Sequence, residues 1–342
     1  VSATIRVLIV DDSAFARKVL RAVLEKHTGI EVIGSARDGL EALEKIVDLK
    51  PDVVTLDLVM PNLDGIGLLR SLPPEHAPRV VIVSVSDALS AIAIEALELG
   101  AVDLVRKPTA LATDQLYDLE RELVLKVRAA ALAKKAPPVP VSQVARAPAI
   151  VPQRTRLVVV GASTGGPNAI TRLLTALPKH FPVPIVIALH IPAGYTDALA
   201  ARLNEQCELE VREASEGLTL VPGQAVLAKG GQHLVVRKSA GVLQAHLTME
   251  PLHSLYFPSI NLLFESAVNQ LGDGVLGVVL TGMGDDGLRG ASLIRKAGGE
   301  VLTEAESSCV IYGMPRTVVE AGYSSAQAPI DQMARTVVEH LR

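Results

Sequence analysis

The 342-residue chain has no tryptophan and only five tyrosines and four phenylalanines. Its cores must therefore be filled by alanine and branched aliphatic residues, the usual filling of α/β proteins. Cys207 and Cys309 stand alone, with no metal-ligand spacing around either, which argues against a zinc site or a disulfide framework and reads as two buried, reduced thiols. Formal net charge is only −4. With no basic stripe and no helix-turn-helix pattern, the chain carries no electrostatic footprint for nucleic acid. No run reaches the ~18 apolar residues needed to span a bilayer, so direct membrane insertion is not expected. The first residues lack the basic segment and apolar core of a secretion signal, so the expected location is cytoplasmic.

What is present is alternation. The length suggests two domains, and a stretch scattered with Pro137, Pro138, Pro140, Pro148 and Pro152 cannot hold a helix or strand for long. It is read as a linker over 128–153 that separates domains at 1–127 and 154–342, preceded by a helix from about 114 to 135. Before it, apolar strands near 5–10, 30–35, 53–57, 79–84 and 102–106 each lead into a helical pattern. That order predicts a five-stranded, doubly wound, flavodoxin-like parallel sheet. After it the alternation resumes, with strands near 157–161, 184–190 and 209–214 and a hairpin-like stretch over 225–247 turning at Ser239-Ala240-Gly241. A helix at about 259–271, a strand from Val275 to Leu280, a helix from Leu288 and a strand near 300–304 follow. The second domain is thus expected to be doubly wound α/β, with a mostly parallel sheet and an inserted hairpin.

In the first domain, Asp11 and Asp12 end strand one, Asp57 ends strand three, Ser84 ends strand four and Lys107 follows strand five. In a doubly wound sheet those ends share the edge where ligands bind. Three carboxylates there repel one another unless a hard cation joins them, and oxygen ligands suit Mg²⁺. The chemistry that fits has Asp57 accepting a phosphoryl group, with Mg²⁺ and Lys107 neutralising its oxygens and Ser84 bonding the product.

In the second domain, the strand ending at Val160 runs into Gly161-Ala162-Ser163-Thr164-Gly165, which fits the G-x-S-x-G nucleophile elbow. The same glycines suit a phosphate-cradling loop ahead of a helix opened by Pro167. A serine nucleophile needs a base and a group to orient it. His190 ends the apolar strand Ile185–Leu189 and should emerge on the same edge. Leu280-Thr281-Gly282-Met283-Gly284-Asp285-Asp286-Gly287 supplies an acid at another strand end, and spacing does not choose between Asp285 and Asp286. The competing reading makes Asp286 an N-cap for the helix from Leu288. The order Ser, His, Asp is not that of α/β-hydrolases. The glycine spacing and the absence of an acid about 20 residues on argue against a dinucleotide.

VLIVDDS, LDLVMPNLDG and Lys107-Pro108 resemble the receiver domain of bacterial response regulators over about residues 4–125. The resemblance implies Asp57 as phosphoacceptor, Asp12 as a direct Mg²⁺ ligand, Asp11 as a supporting one and Val59 as the donor of a metal-binding carbonyl. Leu104 stands where that family usually has an aromatic switch residue. GASTGGP, ALHIP, LTGMGDDG and SCVIYGMPR together resemble the catalytic domain of the chemotaxis protein-glutamate methylesterases, the CheB family. That resemblance implies Ser163 as nucleophile, His190 as base and Asp286 as orienting acid. It also places Thr164 and Met283 as residues lining the site, with a backbone N–H near Met283 as the suggested oxyanion donor and no cofactor for the esterase. The implied substrates are methyl-accepting chemoreceptors, whose glutamyl methyl esters would be hydrolysed and certain glutamines deamidated. The implied phosphodonor is a chemotaxis histidine kinase, with the unphosphorylated receiver expected to restrain the serine site. Phe257-Pro258-Ser259-Ile260-Asn261 departs from the family's basic residue followed by Pro-Ser-Val-Asp. The competing functions are a phosphorylation-gated binding module whose Ser163 loop holds a phosphate, and a serine hydrolase for a non-receptor ester.

Overall fold

The computed structural model describes residues 4–72, 77–84, 90–107, 113–134 and 154–341. The chain divides into two compact units, Val1–Pro138 and Val139–Arg342. In the first, β1 (Ile5–Val10), β2 (Ile30–Ala36), β3 (Val53–Leu56), β4 (Arg79–Ser84) and β5 (Asp103–Arg106) form a parallel sheet in the order β2-β1-β3-β4-β5. The helices are α1 (Ala14–Glu25), α2 (Gly39–Leu49), α3 (Gly65–Ser71), α4 (Ser90–Glu98) and α5 (Thr113–Leu132). Val7 to Val10 are all buried, as a parallel strand covered on both faces requires. Ser13, Asp38 and Asp64 start α1, α2 and α3 by accepting the N–H of Ala16, Glu41 and Gly67. Helix α5 runs to Leu132 and Ala129, Ala130 and Ala133 are buried, so the first residues of the stretch read as linker are helical. Residues 135–153, with the prolines that suggested a linker, lie outside the described residues, as does Pro108.

The second unit is built on a seven-stranded, wholly parallel sheet in the order β14-β13-β12-β6-β7-β9-β8. Its strands are β6 (Leu157–Ala162), β7 (Ile185–Leu189), β8 (Glu210–Glu213), β9 (Gln224–Leu227), β12 (Val275–Val279), β13 (Glu300–Glu304) and β14 (Ala326–Ala328). A separate antiparallel hairpin, β10 (His233–Ser239) with β11 (Val242–Thr248), turns at Ala240-Gly241, both at positive φ (48° and 87°). The start of the stretch expected to be hairpin is therefore β9, a strand of the main sheet. The main-sheet helices are α6 (Gly166–Thr175), α7 (Thr196–Gln206), α8 (Ile260–Leu271) and α9 (Leu288–Lys296), with α10 (Met314–Glu320) and α11 (Ile330–Glu339) at the end. Leu234, Val236 and Ala245 of the hairpin join Leu263, Phe264 and Ala267 of α8 in one buried cluster.

From β6 the chain winds outward through β7 to β8 and β9, then returns on the other side of β6 as β12. Strand β6 is thus the switch point, and the carboxyl ends of β6, β7 and β12 meet on one edge. No described helix is long and apolar enough to cross a membrane.

Candidate functional site

Ser163 is the first residue past β6, and α6 begins only three residues later. The turn that joins them uses Gly165 at φ 78°, where a Cβ would stand 2.6 Å from the Val310 side chain. The Ser163 N–H donates to the Thr281 carbonyl (3.0 Å), and the Ser163 carbonyl accepts from the Gly166 N–H (2.6 Å). Gly282 lies against the serine so closely that an added Cβ would come within 2.7 Å of Ser163 Cβ. The loop after β12 is thereby pressed onto the nucleophile. The next residue, Met283, has a backbone N–H without a hydrogen-bond partner among the described residues. Thr164 is buried, and its carbonyl accepts from Thr281 Oγ1 (3.1 Å).

His190 follows β7 directly, and its N–H is fixed to the Ala162 carbonyl (3.1 Å). Its Nδ1 lies 3.2 Å from Ser163 Oγ and its Nε2 lies 2.9 Å from Asp286 Oδ2. The carboxylate accepts, so Nε2 carries the proton and Nδ1 offers its lone pair to the serine. This reverses the pairing of the chymotrypsin-type triad, where Nε2 faces the serine. The Tyr256 ring covers the imidazole face to face, with centroids 4.1 Å apart and planes 6° apart.

Asp286, not Asp285, meets the histidine; Asp285 is exposed. Beyond His190, Asp286 accepts from the N–H of Ile260 (2.8 Å) and Asn261 (2.9 Å) and from Ser259 Oγ (3.2 Å). The carboxylate thus sits on the N-terminus of α8, where the free N–H groups and the helix dipole favour an anion. The alternative role as cap of α9 is not what the structure shows. That helix starts at Gly287 with no side-chain cap, and its Gly290 N–H is met by Asn261 Oδ1 (2.8 Å). Burial pushes the Asp286 carboxyl up, but His190 and the two backbone donors outweigh it and hold it below the usual range.

In the sequence Ser259 stands out only within the Phe257–Asn261 segment, with the signature of a helix N-cap, and nothing local marks Tyr256 or His233. His233 is fully buried, accepts the Ser259 N–H at Nδ1 (3.1 Å) and stacks on Phe257. Burial lowers its pKa and keeps it neutral, as an acceptor must be.

In the first unit, Lys107 Nζ lies 2.5 Å from Asp11 Oδ2 and 2.6 Å from Asp57 Oδ2. Asp11, Asp12 and Asp57 can each offer an oxygen within a cluster 4.8 Å across, a set suited to a hard divalent cation. Burial, with Asp57's charge adding to it, pushes the Asp11 carboxyl up against the pull of Lys107. Ser84 Oγ is fully buried without a hydrogen-bond partner among the described residues, as a hydroxyl kept for an incoming oxygen would be. The Val59 N–H is 3.5 Å from Asp57 Oδ1, and Leu104 is a buried residue of β5. Cys309 is buried, but Cys207 is only half-buried; neither is in a disulfide, and burial pushes the Cys207 thiol up to about 12.

Residues 158–337, more than half the chain, match the CheB methylesterase family, and residues 7–118 match the response regulator receiver domain. The chain belongs to the CheB methylesterase family. A protein-glutamate methylesterase/protein-glutamine glutaminase of Myxococcus xanthus is 57% identical over 99% of this chain and 98% of its own length. A relative of the same name from Oleidesulfovibrio alaskensis is 40% identical, covering 98% of each chain. The crystal structure of the Thermotoga maritima CheB methylesterase catalytic domain superposes with a TM-score of 0.53 at 35% identity, over 54% of this chain and 98% of that one.

Proposed function

We propose that this CheB-family chain hydrolyses γ-glutamyl methyl esters, and deamidates certain glutamines, on methyl-accepting chemoreceptors. The observation that carries the reading is the unbroken file Ser163 Oγ, His190 Nδ1, His190 Nε2, Asp286 Oδ2, with contacts of 3.2 and 2.9 Å, at the switch point of a parallel sheet. Ser163 Oγ attacks the ester carbonyl as its proton passes to His190 Nδ1. Asp286 stabilises the resulting imidazolium through Nε2–H. The Met283 N–H, beside the serine through Gly282, donates to the oxyanion. The imidazolium returns its proton to the departing methoxide, giving methanol; the neutral imidazole then takes a proton from the water that attacks the acyl-enzyme and passes it to Ser163 Oγ as the glutamate leaves. An amide substrate follows the same acyl-enzyme route with ammonia leaving.

Phosphorylation of Asp57 by a chemotaxis histidine kinase raises this activity. Mg²⁺ fits beside Asp11, Asp12, Asp57 and the Val59 carbonyl, and would supply positive charge to the transferred phosphoryl oxygens. Lys107 neutralises a phosphoryl oxygen and Ser84 Oγ bonds another. The residues 128–153 join this receiver, 1–127, to the esterase, 154–342, and the activity belongs to the cytoplasm.

A serine-directed fluorophosphonate separates an esterase from a phosphate-cradling loop. Stoichiometric labelling of Ser163, lost in His190→Ala, is the expected result. Absence of labelling in a folded protein would remove the catalytic reading.

A further inference from the structure

The segment 249–258, between β11 and α8, is the wall of the serine site, because its Tyr256 lies flat on His190. The Tyr256 hydroxyl reaches over the loop after β12, where a Cβ on Gly284 would stand 3.1 Å from it. The same segment exposes large apolar side chains: Met249 is 46% exposed, Leu252 61% and Leu255 66%. The local backbone holds them outward, since Ser254 N–H closes a turn onto the Pro251 carbonyl (3.2 Å) and Ser254 Oγ bonds the Tyr256 carbonyl (2.8 Å). From Met249 to Pro258 there is no lysine or arginine; the ionisable side chains beside the leucines are the exposed Glu250 and His253, and the neighbouring loop adds the exposed Asp285.

A polymer that brings an ester carbonyl to Ser163 Oγ along the Tyr256 side of the site lies across this rim. An apolar, mildly acidic rim repels a glutamate-rich segment and desolvates favourably against an aliphatic one. On a helical substrate the side chains three and four residues from the ester share its face and meet the wall. We infer that Leu252, Leu255 and Tyr256 determine specificity. They select a methylated helix that carries aliphatic, rather than acidic, residues one turn from the esterified glutamate. The inference rests on the proposed esterase activity and names the chemistry of its macromolecular substrate.

The test uses the full chain and three probes. Two are helical peptides with one γ-methyl glutamate each, flanked at i±3 and i±4 by leucine in one and glutamate in the other. The third is N-acetyl-glutamate γ-methyl ester. The wild-type protein should favour the leucine-flanked peptide by about tenfold or more in kcat/KM. The double variant Leu252→Ser/Leu255→Ser should lose about tenfold on that peptide, mainly through KM, and keep its rate on the small ester. Equal use of the two peptides, or an unchanged preference in the double variant, overturns the inference. A rise in small-ester turnover in the variant also overturns it, by showing that another part of the chain covers the patch. Ser163-dependent turnover of the small ester with no peptide preference refutes only this inference. Failure to hydrolyse any of the three overturns the proposed function as well.

Discussion

Replacing Asp286 by asparagine tests the site at its most heavily bonded group. Oδ1 receives Asn261 N–H and Ser259 Oγ, and Oδ2 receives Ile260 N–H and His190 Nε2, at 2.8 to 3.2 Å. An amide keeps one acceptor and gains two donors, so whichever way it turns, its NH₂ faces a backbone N–H at the start of α8. A buried unsatisfied donor costs about 1–3 kcal/mol, and about 2 kcal/mol in a domain of this size is a fall of about 4–8 °C in Tm. With the NH₂ toward His190, the imidazole must move its proton to Nδ1 and loses the lone pair that faces Ser163. With the oxygen toward His190, the tautomer survives but the charge that stabilises imidazolium is gone. Both arrangements put the loss in kcat, about 10³- to 10⁴-fold, with KM within about threefold. Steady-state hydrolysis of a small γ-glutamyl methyl ester, with Tm by circular dichroism, reads both numbers. A kcat within about tenfold of the parent would refute the assignment of Asp286 to the orientation of His190.

Asn261→Ala should remove the side chain that meets the Gly290 N–H at the start of α9, lowering Tm by about 2–4 °C for about 1 kcal/mol while leaving the Asn261 N–H on Asp286. Asp57→Asn should abolish the rise in esterase rate on adding acetyl phosphate and Mg²⁺; a full response would move the phosphoacceptor elsewhere. Glu304 is 1% exposed, and burial pushes its carboxyl up despite donation from Thr281 N–H (2.8 Å) and Ser308 Oγ (2.9 Å). The native state therefore holds a proton there that the unfolded chain has released, and stability falls as pH rises from the usual glutamate range through the raised value. The Tm of Glu304→Gln relative to parent should climb over that window, and a difference independent of pH would contradict the burial argument. Asp286 has the opposite sign. Its lowered carboxyl contributes stability above the usual aspartate range, lost as pH falls through the native value, so the Tm deficit of Asp286→Asn should shrink in acid.

The architecture was legible because two periodicities were strong. Runs such as Val7–Val10 and Ile185–Leu189 are apolar throughout and each precedes an amphipathic helix, which leaves little choice but a covered parallel sheet. The strands that fail to show are short. β9 is four residues abutting a real hairpin, and β14 is three residues defined by its pairing with β13. At the site, Ser163 and His190 were marked by their strand ends, whereas Asp285 and Asp286 were indistinguishable by spacing. Their difference is tertiary: one carboxylate lands on the N-terminus of α8, 25 residues upstream of it at Asn261, and the other faces water. The inverted use of the imidazole nitrogens and the Tyr256 stack are likewise products of packing that no local pattern encodes.

Methanol release from methyl-labelled receptor membranes reads a phosphorylation-controlled serine esterase without an intermediary. Purified protein is compared with Ser163→Ala, each with and without acetyl phosphate and Mg²⁺. Release should disappear in Ser163→Ala and rise with the phosphodonor. Release that survives in Ser163→Ala, or no release while Asp57 is demonstrably phosphorylated, would contradict the proposed function.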